Sequence, residues 1–349
     1  MEISTPGRIC LFGEHQDYLG LPVLAMAISL RIKIVGQKRK DRIVCIELPD
    51  IGKIEKFSLD DIQYNNSRDY FKSGIKVCKE EGLIFSKGFT CKVNSEIPIA
   101  AGTSSSSALN VSWINFLSNM ADNPADWDQK KIGEITYRAE VEEFKESGGI
   151  MDQYSTSVGG LIYLESTPKI YIEKLNARLG SFVLGDSREP KDTMNILDRC
   201  KKSQKLVLEK VYHNNFEFNL FEDTQNINMS NLNLKEKVLF KGLLKNKYIL
   251  KKALKELNKA RPNSLVIGKL LLEHHFILRD VLKISTPKIE LMIDSAIKAG
   301  ALGGKINGSG GGGCMFAYAP KNPEKVAEAI NDVGGKAYIV GPDIGTFKI

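Results

Sequence analysis

Histidine and paired cysteine are scarce in this sequence. It has four histidines and six cysteines in 349 residues. None of Cys10, Cys45, Cys78, Cys91, Cys200 and Cys314 forms a CxxC pair, so a zinc site is not expected. Most of these cysteines lie in apolar runs, where a reduced thiol packs as a small hydrophobe. Long apolar runs are missing too, since no stretch approaches the roughly 20 residues that span a bilayer. The N-terminus lacks the charged-then-apolar pattern of an export signal, and no internal repeat is visible. These absences point to a reducing cytoplasm and to no membrane partner.

What is present is ordinary in bulk. Hydrophobic residues make up 42% and charged residues 26%, as in soluble globular proteins. The length suggests one large domain or two lobes. The net charge of +7 is compatible with nucleic acid or anionic metabolites. The lysines are spread along the chain, however, and the densest group, Lys241 to Lys259, alternates with Leu and Ala at helical spacing. It reads as an amphipathic surface helix, and no nucleic-acid motif accompanies it.

The first half carries short strand-like runs at Ile9 to Phe12, Val23 to Ile28, Arg31 to Gly36, Ile43 to Leu48 and Phe89 to Val93. Helices are expected at Asp69 to Glu81, Ser104 to Phe116 and Lys130 to Lys145, and a buried strand at Ser181 to Gly185. The second half is more helical, at Thr193 to Val211, Leu234 to Lys259, Asn263 to Leu282 and Pro287 to Ala299. Strands return at Lys305 to Asn307, Cys314 to Ala319 and Lys336 to Val340. The Asn-rich stretch from Asn214 to Asn231 reads as a loop or insertion. This mixture, without strict βαβ alternation, predicts an α+β fold with a boundary after Arg178, giving lobes 1–178 and 179–349.

Four segments carry candidate chemistry. PGRICLFGEHQDYLGLPVLAMAI, Pro6 to Ile28, ends a strand in Glu14, His15, Asp17 and Tyr18. Carboxylates and an imidazole there can converge on a polyhydroxylated ligand; a charged hairpin turn is the plainer reading. PIAAGTSSSSAL, Pro98 to Leu109, leads a glycine turn into serines at a helix start, where free N–H groups attract phosphate; a serine N-cap without ligand has the same pattern. GGKINGSGGGGC, Gly303 to Cys314, is costly in chain entropy and fits a backbone that approaches a ligand, or a flexible linker. No Gly-Lys-Ser/Thr follows it, so it is not a Walker A loop. In EVEEFKESGGIMDQ, Glu140 to Gln153, Asp152 follows a Gly-Gly turn and can be a general base or a helix cap.

The order and spacing of the four segments resemble the GHMP kinases, the family of galactokinase, homoserine kinase, mevalonate kinase and phosphomevalonate kinase, over nearly the whole chain. GEH at Gly13 to His15, DY at Asp17 to Tyr18 and GIMDQ at Gly149 to Gln153 are similar to the galactokinase branch. The resemblance implies a two-lobed fold, with an N-terminal lobe like ribosomal protein S5 domain 2 and a ferredoxin-like C-terminal lobe. It implies that nucleotide and substrate meet in the cleft between them. By the same resemblance, Asp152 would orient or deprotonate the attacking hydroxyl, and Arg8 would stabilise charge at the transferring phosphoryl. Glu14, His15, Asp17 and Gly149 would contact the sugar. Gly102, Ser104, Ser105, Ser106 and Ser107, with Gly310 and Gly311, would hold the ATP phosphates. Ser106 and Glu140 would ligate Mg2+, with Glu142 as the alternative to Glu140.

The implied activity is ATP-dependent phosphorylation of a sugar hydroxyl, the anomeric C1-OH of galactose or a related sugar, by a monomer or homodimer. Galactokinases carry an Asn-Ser-Asn element on the strand leading into the second lobe. GDSREPKDT, Gly185 to Thr193, stands there instead, and this bears on which sugar is taken. STPKIE, Ser285 to Glu290, and the third glycine segment are as close to mevalonate kinases. A mevalonate-type kinase and a non-catalytic sugar or nucleotide sensor on the same fold are the alternatives.

Overall fold

Along the chain, the computed structural model of the protein has strands β1 (Glu2–Phe12), β2 (Val23–Lys38), β3 (Ile43–Leu48) and β4 (Lys53–Ser58), helix α1 (Tyr70–Glu80) and β5 (Phe89–Ser95). Then come α2 (Ser105–Met120), α3 (Gln129–Tyr137), α4 (Met151–Val158), β6 (Leu161–Glu165), β7 (Tyr171–Leu175) and β8 (Phe182–Asp186). Next are α5 (Thr193–Asn214), α6 (Leu234–Leu257), α7 (Ser264–Phe276) and α8 (Pro287–Lys298). The chain finishes with β9 (Gly303–Ile306), β10 (Cys314–Tyr318), α9 (Pro323–Asp332), β11 (Lys336–Val340) and β12 (Phe347–Lys348). The structure describes residues 1–99, 101–190, 193–222 and 226–349. Ala100 of the serine loop, Lys191 and Asp192 of GDSREPKDT, and 223–225 of the Asn-rich stretch lie outside the described residues.

These elements form two units, one of Met1–Ile9, Met26–Leu161 and Gly341–Ile349, the other of Cys10–Ala25 and Ile162–Val340. The sequence reading draws a single boundary after Arg178, whereas the chain passes between units at 9–10, 25–26, 161–162 and 340–341. Two of these passages fall inside β1 and β2, where an unbroken strand gives no turn residue to mark them.

In the first unit, six strands run in the order β12-β1-β2-β5-β3-β4. β5 lies antiparallel to β2 and parallel to β3, with Ile46 opposite Cys91. α2 is buried on most sides, its Ser107, Asn110, Ser112, Asn115 and Ser118 included. Trp113 stacks on Phe116 at 5.5 Å, its indole N–H donates to the Phe71 carbonyl at 3.0 Å, and Phe71, Phe89 and Leu117 close round it. This packing fixes the N-terminus of α2, where the serine run lies.

The second unit holds an antiparallel sheet in the order β11-β8-β10-β9. Taken in chain order, its strands stand 4-1-3-2, the split β-α-β arrangement of ferredoxin-like folds. Ile289, Met292 and Ile293 of α8 and Val326 and Ile330 of α9 pack with Val183 and Met315 of the sheet. A second cluster joins Leu21 with Phe218, Leu220, Phe240 and Leu243. The Asn-rich stretch thus contributes two buried apolar side chains to an otherwise irregular path. No helix among the described residues is long and apolar enough to cross a membrane.

The α+β class and most elements stand as the sequence predicts. The two runs at Val23 to Ile28 and Arg31 to Gly36 are one strand, because Ser29 and Leu30 continue the extended backbone. The helix expected over Lys130 to Lys145 is α only to Tyr137 and widens to a π-turn at Arg138–Glu142. Likewise the helix expected over Asn263 to Leu282 changes to a π-turn at Ile277–Val281. β4, β6, β7 and β12 were not anticipated.

Candidate active site

In the first unit, the candidate side chains gather where β1, α2, the π-turn and α4 converge. Arg8 on β1 is 3% exposed and carries Asp152 of α4, which is 31% exposed. The guanidinium meets Asp152 Oδ1 through Nε at 2.8 Å and Nη2 at 2.7 Å, while Nη1 donates to the Gly102 carbonyl at 2.6 Å. One buried cation therefore fixes both the carboxylate and the turn that opens the serine run. Asp152 keeps one face towards solvent, and its place in the first turn of α4 suits a negative charge.

Glu140 sits in the π-turn, a distortion that often re-aims a functional side chain. It is buried, accepts from Ser107 Oγ at 2.9 Å and from Gln153 Nε2 at 2.8 Å. Burial pushes its carboxyl from the ordinary 4.5 up to about 7; the bonds from Gln153 and Ser107 oppose this, and Asp152 adds to it. Ser104 caps α2 in the left-handed conformation, φ +60°. Its Oγ and Gln153 Oε1 are buried without a hydrogen-bond partner. Among the described residues no group of three or more His, Cys, Asp or Glu gathers as a metal site. The oxygens of Glu140, Ser107 and Gln153, with Ser104 nearby in sequence, are nevertheless the hard donors that Mg2+ takes, and it usually needs only one or two protein ligands beside phosphates and water. The donor chemistry fits the ion.

In the second unit, the opening motif meets the third glycine segment. Lys305 of β9 is fully buried and donates to the Cys10 carbonyl at 2.9 Å and to Glu14. Glu14 also accepts the Gly308 N–H, and its own carbonyl accepts from Asn246 Nδ2 at 3.1 Å. The Cys10 N–H donates to Asn307 Oδ1 at 2.9 Å. His15, at φ +59°, contacts the Ser309 carbonyl through Nε2 at 3.1 Å and the Tyr18 hydroxyl through Nδ1 at 3.1 Å. Since a carbonyl only accepts, Nε2 carries a proton, and in the neutral ring Nδ1 accepts from Tyr18. Burial, foremost, pushes the Tyr18 hydroxyl well up, so that it remains a donor. Asp17 begins a half-buried 3-10 turn, Asp17–Leu19, closed by Gly20.

The structure brings Arg8, Gly102, Ser104, Ser107, Glu140 and Asp152 together in one unit, and Glu14, His15, Asp17, Gly310 and Gly311 in the other. Gly149 lies in the turn two residues before α4. Ser105 opens α2, and Ser106 is exposed; Ser107 is the serine that bonds Glu140. Glu142 closes the π-turn without a place in this network. Gly310 and Gly311 have φ of +81° and +75°, and a Cβ on either would meet Ile284 at 2.6 Å or Ile196 at 2.1 Å. Packing against Ile284 and positive φ favour glycine at 310, and positive φ favours it at 311, whatever the loop binds. Sequence reasoning missed Lys305, Asn307 and Gln153. A lysine inside an apolar strand was the available signal for Lys305.

Three family profiles match the chain: GHMP kinases N terminal domain over residues 69–160, GHMP kinases C terminal over 246–336, and the galactokinase galactose-binding signature over 2–38. A mevalonate kinase of Thermococcus gammatolerans is 29% identical, the match covering 96% of this chain and 94% of the relative. A galactokinase of Clostridium perfringens is 31% identical, covering 95% and 88%. The crystal structure of Lactococcus lactis galactokinase complexed with galactose superposes with a TM-score of 0.81 at 23% identity, over 100% of this chain and 95% of that one. At that identity the likeness is one of fold.

Proposed function

Because this chain belongs to the GHMP kinases, we propose that it transfers the γ-phosphoryl group of ATP to a hydroxyl of a small polyol, and that the acceptor is a sugar taken at its anomeric hydroxyl. The observation that carries the phosphotransfer reading is the Arg8–Asp152 pair tied to the Gly102 carbonyl. Asp152 is partly exposed, and it would take or orient the acceptor proton. Arg8 supplies fixed positive charge where negative charge develops, which is the main lever in phosphoryl transfer. The N–H groups opening α2 and the hydroxyls of Ser104, Ser105, Ser106 and Ser107 would receive the phosphates. Glu140 and the Ser107 hydroxyl bonded to it would hold Mg2+, which neutralises phosphate charge when bound; Ser106, the serine the family resemblance implies, is exposed.

The match of residues 2–38 to a galactose-binding signature supports a sugar acceptor, as does the polar turn at Asp17 and Tyr18. The mevalonate kinase relatives support a second reading in which the acceptor is mevalonate. ADP release with Mg-ATP over hexoses, pentoses, uronic acids, heptoses and mevalonate separates them. Turnover of a sugar upholds the first, and turnover of mevalonate alone replaces it. Tight binding with feeble turnover of every compound points to a sensor.

A further inference from the structure

We propose that Lys305 is a positioning residue for acceptor recognition, and that Glu14 acts on Lys305 and the glycine loop and not on the acceptor. Both Glu14 carboxylate oxygens are engaged, one by Lys305 and the other by the Gly308 N–H. The two side chains are 2% and 0% exposed, so neither presents a surface to a hydroxyl. The same ammonium binds the Cys10 carbonyl at 2.9 Å and lies 5.1 Å from the Phe316 ring. Asn307 takes the Cys10 N–H and His15 takes the Ser309 carbonyl. Residues 10–15 are therefore fastened to residues 305–309 along their length, with the ion pair at the centre. His15 stands at positive φ immediately after Glu14, and Asp17 opens the turn two residues later. Fixing Glu14 fixes where that turn begins. Acceptor hydroxyls are then left to Asp17 and the His15–Tyr18 edge.

A buried pair of this kind adds little net stability, but removing one partner strands the other charge. Its value here is geometric, and small misplacements of substrate-holding groups are expensive in rate.

The inference rests on the kinase reading for its kinetic readout but not for its structural one. Lys305→Met, Glu14→Gln and the double variant are compared with the wild-type chain in acceptor KM, ATP KM, urea unfolding and amide hydrogen exchange. Each single change is expected to raise acceptor KM by roughly 10- to 100-fold and to speed exchange in residues 10–17. ATP KM should move by less than about threefold, and the double variant should be no worse than the poorer single one, as coupled neighbours behave. Additive effects, or a raised acceptor KM in Glu14→Gln alone, would make Glu14 a substrate contact and overturn the proposal. If Lys305→Met does not fold, Glu14→Gln decides. Raised KM with faster exchange at residues 305–309 supports the proposal, and raised KM with unchanged exchange overturns it. If no acceptor is turned over, the kinase reading fails, and coupling in urea unfolding and exchange still tests the clamp.

Discussion

Arg8 and Asp152 lie 144 positions apart in sequence and share three heavy atoms within 2.8 Å. Asp152→Asn keeps the shape and removes the charge, so turnover should fall by about 10²- to 10⁴-fold while nucleotide binding stays near wild type. ADP release and ATP titration check this, and wild-type turnover would assign the chemistry to another group. Asp17→Ala should raise acceptor KM more than ATP KM, and equal changes in steady-state kinetics would remove Asp17 from the acceptor site. Glu140 gives a pH prediction. Its folded-state value, about 7, lies above the ordinary 4.5, so the native state binds more protons than the unfolded chain between them. Stability therefore falls as pH rises from about 4.5 to 7, by at most roughly 3 kcal/mol, and is level above. Glu140→Gln removes that penalty, and the Gln153 amide can turn its free Oε1 to meet the new donor. In EDTA the variant should melt above wild type at pH 8 and not at pH 5.

At the scale of elements, the glycine segment is held by its own unit. Gly310→Ala would place a methyl 2.6 Å from Ile284 Cβ and 2.7 Å from its carbonyl oxygen, at φ +81°. A loss of about 1–3 kcal/mol is expected from the strained conformation, measured by urea unfolding. The helix starts that carry the candidate site, the glycine loop and the α+β class were legible because each rests on local residue chemistry. The serine run at a helix start and the Gly-Gly turn before Asp152 are of this kind. What was illegible rests on partners distant in sequence. β4 and β7 are largely exposed strands whose Lys and Glu residues hide the alternation. The π-turn that turns Glu140 inward has no composition of its own. Lys305 takes its partners, Glu14 and Cys10, from nearly 300 residues away. Ser107, one of four successive serines, was singled out only by its bond to Glu140.

At the scale of the molecule, neither unit is one continuous piece of chain. A cut after Arg178 leaves the first fragment without residues 341–349 and the second without Cys10–Ala25 and residues 162–178. The two fragments, made separately, should lack cooperative melting and native near-UV circular dichroism. Co-expression should restore both signals, and a fragment that melts cooperatively alone would show that its missing segment is dispensable. Residues 341–349 matter to the first unit in detail: β12 pairs with β1 at Ile3 and Ser4, Thr346 binds Thr5 at 2.7 Å and Asn115 at 3.0 Å, and Ile344 bridges Gly159. This return has a consequence for biosynthesis. At the ribosome's pace of about 5–20 residues per second, strand β1 must wait on the order of tens of seconds for its neighbour β12 to emerge. Until then β1 is unpaired on that side at Ile3 and Ser4, the kind of edge that recruits other strands. A truncated nascent chain would keep that edge, and chaperones and proteases could distinguish it from the finished protein.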